Sequence, residues 1–278
     1  MHDDDRPVGR RLGRRELVGL FGASVAAAAA ATRAHGGDLR LGVAEQGPPG
    51  ASLAAQDCVA QPQQTEGPYF VEERLKRSDI RVDPSTGSVS RGASLDLRLV
   101  ISTVTDTGVC QPLANAQVDI WHCDAAGVYS DVRDRRSDTT GQNFLRGYQT
   151  SDASGQVRFT TIYPGWYAGR AVHVHFKVRT PGAGSRTDEF TSQLYFDDAL
   201  TDHVHATAPY SDHPGQRLVN SRDMIFREGG PKLTLLAVEH GDGYAATFRI
   251  AMRPGEPPAP GPPGPPPFGR GVGRGGRG

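Results

Sequence analysis

Residues 163–178 read YPGWYAGRAVHVHFKV, and the closing HVHFKV (173–178) decides the fold. Residues two apart on a β-strand share a face. Val174, Phe176 and Val178 therefore turn into an apolar core, while His173 and His175 stand together on the opposite face. A strand that only packs needs no pair of imidazoles on one side. The stretch thus raises a question of chemistry as well as of fold.

Working outward, the same period of two recurs. In SLDLRLVIS, Leu95, Leu97, Leu99 and Ile101 alternate with Asp96 and Arg98. In AQVDIW, Ala116, Val118 and Ile120 alternate with Gln117 and Asp119, and QVRFTTI sets Val157 and Phe159 against Arg158 and Thr160. SQLYF, KLTLLAV and AATFRIAM follow. Such alternation between Gly, Pro, Asp and Asn clusters predicts half-buried strands. The economical architecture is all-β: one antiparallel β-sandwich over residues 58–252, with long active-site loops and few short helices. The long loops are 125–148 and 197–230, and 220–228 has room for a short helix. Asp96, Arg98, Asp119 and Arg158 are expected on solvated strand faces.

Both ends read differently. Residues 1–36 have the layout of a signal peptide: a basic stretch, an apolar run from Leu17 to Ala31, then small residues. The pair Arg14-Arg15 followed by Leu17 points to the twin-arginine route rather than ordinary secretion. No lipid-anchor cysteine follows the run, so export to the cell envelope (periplasm) or beyond, without a membrane anchor, is expected. Residues 37–57 read as a linker. In the tail 253–278, 18 of 26 residues are Gly or Pro, a composition that buries too little apolar surface to order itself. With 31 Lys and Arg against 31 Asp and Glu, the net charge is zero, and no nucleic-acid partner is indicated. Of the three cysteines, Cys123 lies in an apolar strand and Cys58 and Cys110 in loops. In an oxidising compartment this favours a Cys58–Cys110 disulfide closing the N-terminal arm onto the sheet, with three free thiols as the alternative.

An H-x-H pair alone is a weak metal signal, and a polar strand face is its bland reading. The context adds phenols. Tyr167 sits in the PGWY loop just before the strand, and Tyr129 follows a core strand in WHCDAAGVYSD. Phenolate oxygens with imidazoles suit a hard trivalent iron. No carboxylate neighbours the histidines as a two-His-one-carboxylate iron(II) site requires, and no third ligand continues the motif as in a zinc hydrolase.

TEGPYF (65–70), PLANAQVDIWHCDAAGVYSD (112–131), YPGWYAGRAVHVHFKV and TSQLYF (191–196) together resemble the intradiol ring-cleavage dioxygenases, the catechol 1,2- and protocatechuate 3,4-dioxygenases, over roughly residues 60–250. The most specific element is R-x-x-H-x-H with two upstream tyrosines. The resemblance implies a non-haem Fe(III) held by Tyr129, Tyr167, His173 and His175. Tyr129 would be the retained tyrosine, eight residues after Trp121, and Tyr167 the one displaced by substrate. It further implies Arg170 as the active-site arginine, Gln193 as a glutamine behind the ligands, and Pro68 and Tyr69 at the substrate mouth, where Trp166 is a candidate wall. The implied substrates are a catechol-type diol and O2. The implied product is a cis,cis-muconate-type diacid, formed without a reductant or an organic cofactor.

The chain departs from familiar members in a short Tyr167–His173 interval, which reshapes the pocket, and in having no helical N-terminal dimerisation segment. A homo-oligomer therefore stays open, as does the identity of the catechol. An export signal is also unusual for them. PLANAQV and TSDASGQVRFTTIYPGWY also look like transthyretin-like β-sandwich modules, which bind and do no chemistry. The joint presence of Tyr129, Tyr167, His173 and His175 separates the two readings. A second pair, His203 and His205, is expected on a surface loop. His122 and Asp124 are expected to be structural, and His213 and His240 ordinary.

Overall fold

The computed structural model describes residues 58–134, 137–181, 187–253 and 255–257. The expected signal peptide (1–36), the linker (37–57) and most of the tail (253–278) lie outside the described residues. In chain order the strands are β1 (Ser94–Val104), β2 (Cys110–Pro112), β3 (Gln117–Trp121), β4 (Arg146–Thr150), β5 (Gln156–Ile162), β6 (His173–Pro181), β7 (Thr187–Phe196), β8 (Thr234–Leu235), β9 (Ala237–His240) and β10 (Gly243–Met252). They form two five-stranded sheets. In one, β1 is central, flanked by β10 and then β9 on one side and by β5 and β2 on the other. The second has the order β4-β3-β6-β7-β8.

The sheets pack through the faces that the alternation predicts. Leu95, Leu97, Leu99 and Ile101 of β1 meet Val118 and Ile120 of β3, Val174, Phe176 and Val178 of β6, and Phe190 and Leu194 of β7 in one buried cluster. Each large side chain so buried contributes about 1.5–3 kcal/mol. Most neighbours run antiparallel, but β1–β10 and β7–β8 are parallel. Parallel neighbours need long connections, and both pairs join strands far apart in sequence, so local turn signals carry no trace of them.

The long 197–230 connection begins with helix α1 (Asp198–His205), capped by Asp197. A single-turn helix α2 (Met224–Arg227), capped by Asp223, falls within 220–228.

The outer face of the second sheet is covered as well. His173, His175 and Lys177 of β6 are buried almost as fully as the core residues Val174 and Phe176 between them. The cover is the arm that precedes β1. After pairing with β10 of the first sheet (Gln61 N to Ala251 O, 2.8 Å), it reaches β7 of the second, with Gln64 N donating to Thr191 O (2.9 Å) and the Ser192 hydroxyl to Pro62 O (2.8 Å). Asp119 consequently departs from expectation. It is 9% exposed rather than solvated, and it pairs with Arg179 at 2.9 Å beneath the arm. Asp96 and Arg158 do pair on an open face.

A Cys58–Cys110 disulfide ties the start of the arm to β2, and Cys123 is buried with a free thiol. The bridge spans a sequence separation of 52. A loop of that size predicts that Cys110→Ser costs about 4 kcal/mol. Urea denaturation checks this: the variant's midpoint should fall to that of the reduced parent, and an unchanged midpoint contradicts it.

Candidate metal centre

Strand pairing sets one side of the site. On β6, His175 lies opposite Trp121 of β3 and Gln193 of β7, and His173 lies opposite Tyr195. Cross-strand partners share a face, so these side chains form a patch on the outer face of the sheet. The Trp121 ring stacks on His175 with centroids 4.9 Å apart and planes 5° apart. The Ala171 carbonyl lies 2.6 Å from His173 Nδ1, so that nitrogen carries the proton and Nε2 keeps its lone pair. The two Nε2 atoms are 3.0 Å apart.

Two loops bring the phenols. Asp124 Oδ1 accepts from Ala126 N and Val128 N, both at 2.9 Å, which curls the chain after β3 and delivers Tyr129. The second loop, 164–167, packs against the first by backbone alone, with Gly165 N donating to Asp124 O (3.1 Å). Only glycine fits at this seam. A Cβ on Gly127, whose φ is +79°, would lie 2.1 Å from Trp166 O, and one on Gly165 would lie 2.4 Å from Asp124 O. Tyr129 and Tyr167 thereby meet edge to face with centroids 5.6 Å apart. The Tyr167 hydroxyl is 3.3 Å from His173 Nε2.

Burial sets the protonation states. It drives both histidines well below the ordinary imidazole pKa, and the nearby Arg170 charge pushes the same way. Both rings are neutral, and their lone pairs are available. Burial first and the Tyr167 neighbour second raise the Tyr129 phenol well above its ordinary value, and burial raises Tyr167 also. His175 Nδ1 and the Tyr129 hydroxyl are buried without a hydrogen-bond partner of good geometry. Unpaired buried polar atoms cost about 1–3 kcal/mol each. Among the described residues no group of three or more His, Cys, Asp and Glu is placed to hold a metal. The candidate donors are two imidazoles and two phenols, a set that would suit a hard trivalent ion better than zinc or calcium.

Behind the ligand candidates runs a polar network. Arg170 donates through Nη2 to Gln193 Oε1 (2.5 Å) and through Nε to Asp223 Oδ2 (3.0 Å). Gln193 Nε2 donates to Thr65 O (2.8 Å), and the Tyr195 hydroxyl donates to Gln64 Oε1 (2.9 Å). Tyr69 of the TEGPYF turn stacks on Tyr129 at 4.5 Å, while Pro68 beside it is exposed. Gly67 turns that segment against His175, at 3.2 Å from where its Cβ would be. A cavity of about 370 Å³ opens here, lined by Tyr69, Gly127, Tyr129, Tyr167 and His213 among others. Trp166 does not line it. Its ring packs on His213 (4.3 Å) and against the core instead.

The second histidine pair departs from expectation: His203 and His205 end helix α1 and do not lie on a loop. On a helix, residues two apart point in different directions. His203 is exposed, while His205 turns inward, where its Nε2 contacts Pro164 O at 3.0 Å. It thus braces the loop that carries Tyr167. His122 lies away from the site, its Nε2 2.7 Å from the Thr161 hydroxyl, and burial holds its imidazole down at about 4.

Sequence reasoning missed Asp223, Tyr195, Gln64 and Arg146. Buried Arg146 donates to the Ser130 hydroxyl (2.7 Å) and to Tyr69 O (3.3 Å), so it links the Tyr129 loop to the TEGPYF turn. No local motif marks Asp223, Gln64 or Arg146, because each acts through a partner distant in sequence; Tyr195 lies within TSQLYF, but its role appears only with Gln64 and Arg170 beside it.

A family model described as "Dioxygenase" matches residues 65–235. The protocatechuate 3,4-dioxygenase beta chain of Burkholderia cepacia is 35% identical over 123 residues, covering 41% of this chain and 51% of that protein. A chlorocatechol 1,2-dioxygenase of Pseudomonas putida is 30% identical over 156 residues, covering 48% and 52%. The chain thus spans about half the length of these curated relatives. Among solved structures, an intradiol ring-cleavage dioxygenase from Tetranychus urticae superposes with a TM-score of 0.60 at 29% identity, over 71% of this chain and 96% of that one.

The glycine seam makes a separable prediction. Gly127→Ala adds a clash with Trp166 O to the strain of positive φ, whereas at Gly169 (φ +90°) an added Cβ meets nothing within 4 Å. Gly127→Ala should lose about 1–3 kcal/mol and the near-UV signature of the packed tyrosines; Gly169→Ala should lose about 1 kcal/mol and keep that signature. Thermal melts with near-UV circular dichroism compare the two, and equal effects contradict the seam.

Proposed function

The chain belongs to the intradiol dioxygenase family, and from that membership we propose that it cleaves catechol-type aromatic diols with O2 between the two hydroxyl-bearing carbons. The centre would be a non-haem Fe(III) held by Tyr129, Tyr167, His173 and His175. What carries the reading is the convergence of two neutral imidazoles and two phenols beside a cavity of about 370 Å³. When bound, the ferric ion supplies Lewis acidity that draws electron density from the chelated diol and opens its ring to O2.

The protein's own residues divide the remaining work. His173 and His175 are held neutral and aimed by the Ala171 carbonyl and the Trp121 ring, so they bind without first losing a proton. Tyr129 is 3% exposed and closed in beneath Tyr69, as suits a ligand that stays in place. Tyr167 is half-buried on the cavity wall, where its oxygen, as the phenolate that a bound ferric ion would favour, would be positioned to take a proton from an incoming diol hydroxyl. Arg170, fixed by Gln193 and Asp223, offers a buried positive charge to the developing negative charge of the substrate, a preorganised effect worth a few kcal/mol. Tyr69 offers an aromatic face to the substrate ring.

The product would be a cis,cis-muconate-type diacid. The sandwich over 58–252 would be the catalytic unit. The signal-like layout of 1–36 supports export by the twin-arginine route, so that the enzyme meets its diols outside the cytoplasm.

Oxygen uptake with catechol, together with mass analysis of the product, tests the reading. Ring-opened diacid carrying both atoms of O2 is expected; a quinone, or no uptake by iron-loaded protein, would refute it. Tyr129→Phe should lower turnover by more than roughly 100-fold, since even outer partners of a metal site are worth 10–100-fold. Parental turnover in that variant removes Tyr129 from the ligand set.

A further inference from the structure

We infer that Asp223, 53 residues beyond Arg170, is the positioning residue that sets Arg170 and the His173 side of the centre in register. The inference rests on the proposed function only in that Arg170 there faces a bound diol.

Every acceptor position of this carboxylate is committed. Its side chain is 1% exposed. Oδ2 accepts from Arg170 Nε at 3.0 Å and from Ala171 N at 2.8 Å. Oδ1 caps α2, accepting from Ile225 N at 2.8 Å and Phe226 N at 3.4 Å. The residue therefore grips two consecutive positions of the segment leading into β6. Ala171 passes the constraint on, because its carbonyl is the acceptor for His173 Nδ1 at 2.6 Å. One oxygen thus fixes a guanidinium directly and an imidazole through a single residue.

The rest of Arg170's surroundings shows why a second anchor is needed. Gln193 accepts from Nη2, with the Tyr195 hydroxyl at 3.5 Å from the same nitrogen. These partners hold one end of the fork and are neutral. Nε, a second donor of the guanidinium, is held by the Asp223 carboxylate. A planar group held at two of its nitrogens, Nε and Nη2, is fixed in orientation about its stem. The carboxylate also offsets the cost of burying the guanidinium, whose side chain is 14% exposed. The anchor is itself fixed, since α2 packs Phe226 edge-on against Tyr195 at 5.0 Å. A short helix from the far end of the chain thereby acts as a clamp on the site.

Two variants separate positioning from folding. Asp223→Asn keeps an oxygen for the α2 cap and turns an amide donor toward Arg170 Nε and Ala171 N. Asp223→Ser keeps a good cap and withdraws from both. Iron-loaded parent and variants are titrated with catechol without O2 and read by the visible band. Both variants should weaken catechol binding about tenfold or more, the worth of one charge-assisted hydrogen bond. In an Arg170→Gln background, either substitution should cost clearly less than in the parent, leaving only the part that runs through Ala171. Parental affinity in the variants, or losses that simply add to that of Arg170→Gln, would overturn the inference.

The same pairs are melted without metal, a readout that needs no iron. There Asp223→Asn and Arg170→Gln should again be non-additive in thermal midpoint, and additive shifts would overturn the inference. If the parent takes up no iron or shows no response to catechol while the metal-free coupling persists, the proposed function fails and the Asp223–Arg170 clamp stands. If the parent responds and the variants match it, the clamp fails and the function stands.

Discussion

Side chains two apart on a strand must share a face, and at His173 and His175 the rest of the site follows from that constraint. The valines and phenylalanine of the same strand are locked into the sandwich core, so the imidazoles have one direction left to point. Because β6 lies inside its sheet, that direction is flanked by Trp121 on one neighbour and by Gln193 and Tyr195 on the other. Burying two neutral imidazoles with a nitrogen unpaired is unfavourable in itself. The fold tolerates it because the strand is anchored by its apolar face, and because the N-terminal arm covers the polar one.

Around this rigid face the mobile chemistry is delivered by backbone packing. The loops carrying Tyr129 and Tyr167 approach each other where glycine removes the side chains that would separate them. His205 from α1 and Arg146 from β4 brace these loops from two separate elements. The charged part of the site is built by the same logic. Arg170 is buried, so its partners are the ones that compensate it, and Gln193 and Asp223 come from two further elements. Three loops and three strands thus converge on a volume that none of them shapes alone.

How much of this was legible in the sequence depended on whether the signal was local. Alternation in β1, β3, β5 and β6 marked the sandwich faces because a period of two is written in consecutive residues. Tyr129, Tyr167, His173 and His175 could be singled out because they lie on or beside strands whose facing the alternation gives, whereas the role of Arg170 came from the family resemblance. The parallel pairing of β1 with β10 left no such mark, since nothing in 94–104 names a partner at 243–252. Asp119 was misjudged because alternation tells which face a residue is on, not whether another segment covers that face. His203 and His205 looked like an echo of the strand pair, but a helical period sends the two rings apart. Asp223 sat unnoticed among polar loop residues, because its value lies wholly in an arginine far upstream.

The central claim, that two phenols and two imidazoles here form a ferric site, is tested most directly by metal content and visible absorption measured on one sample of purified protein. Phenolate bound to Fe(III) gives a broad charge-transfer band across the visible. The account predicts stoichiometric iron and a red protein whose band shifts when catechol is added without O2. A protein that stays colourless after ferric loading, or that holds zinc in preference to iron, would contradict it.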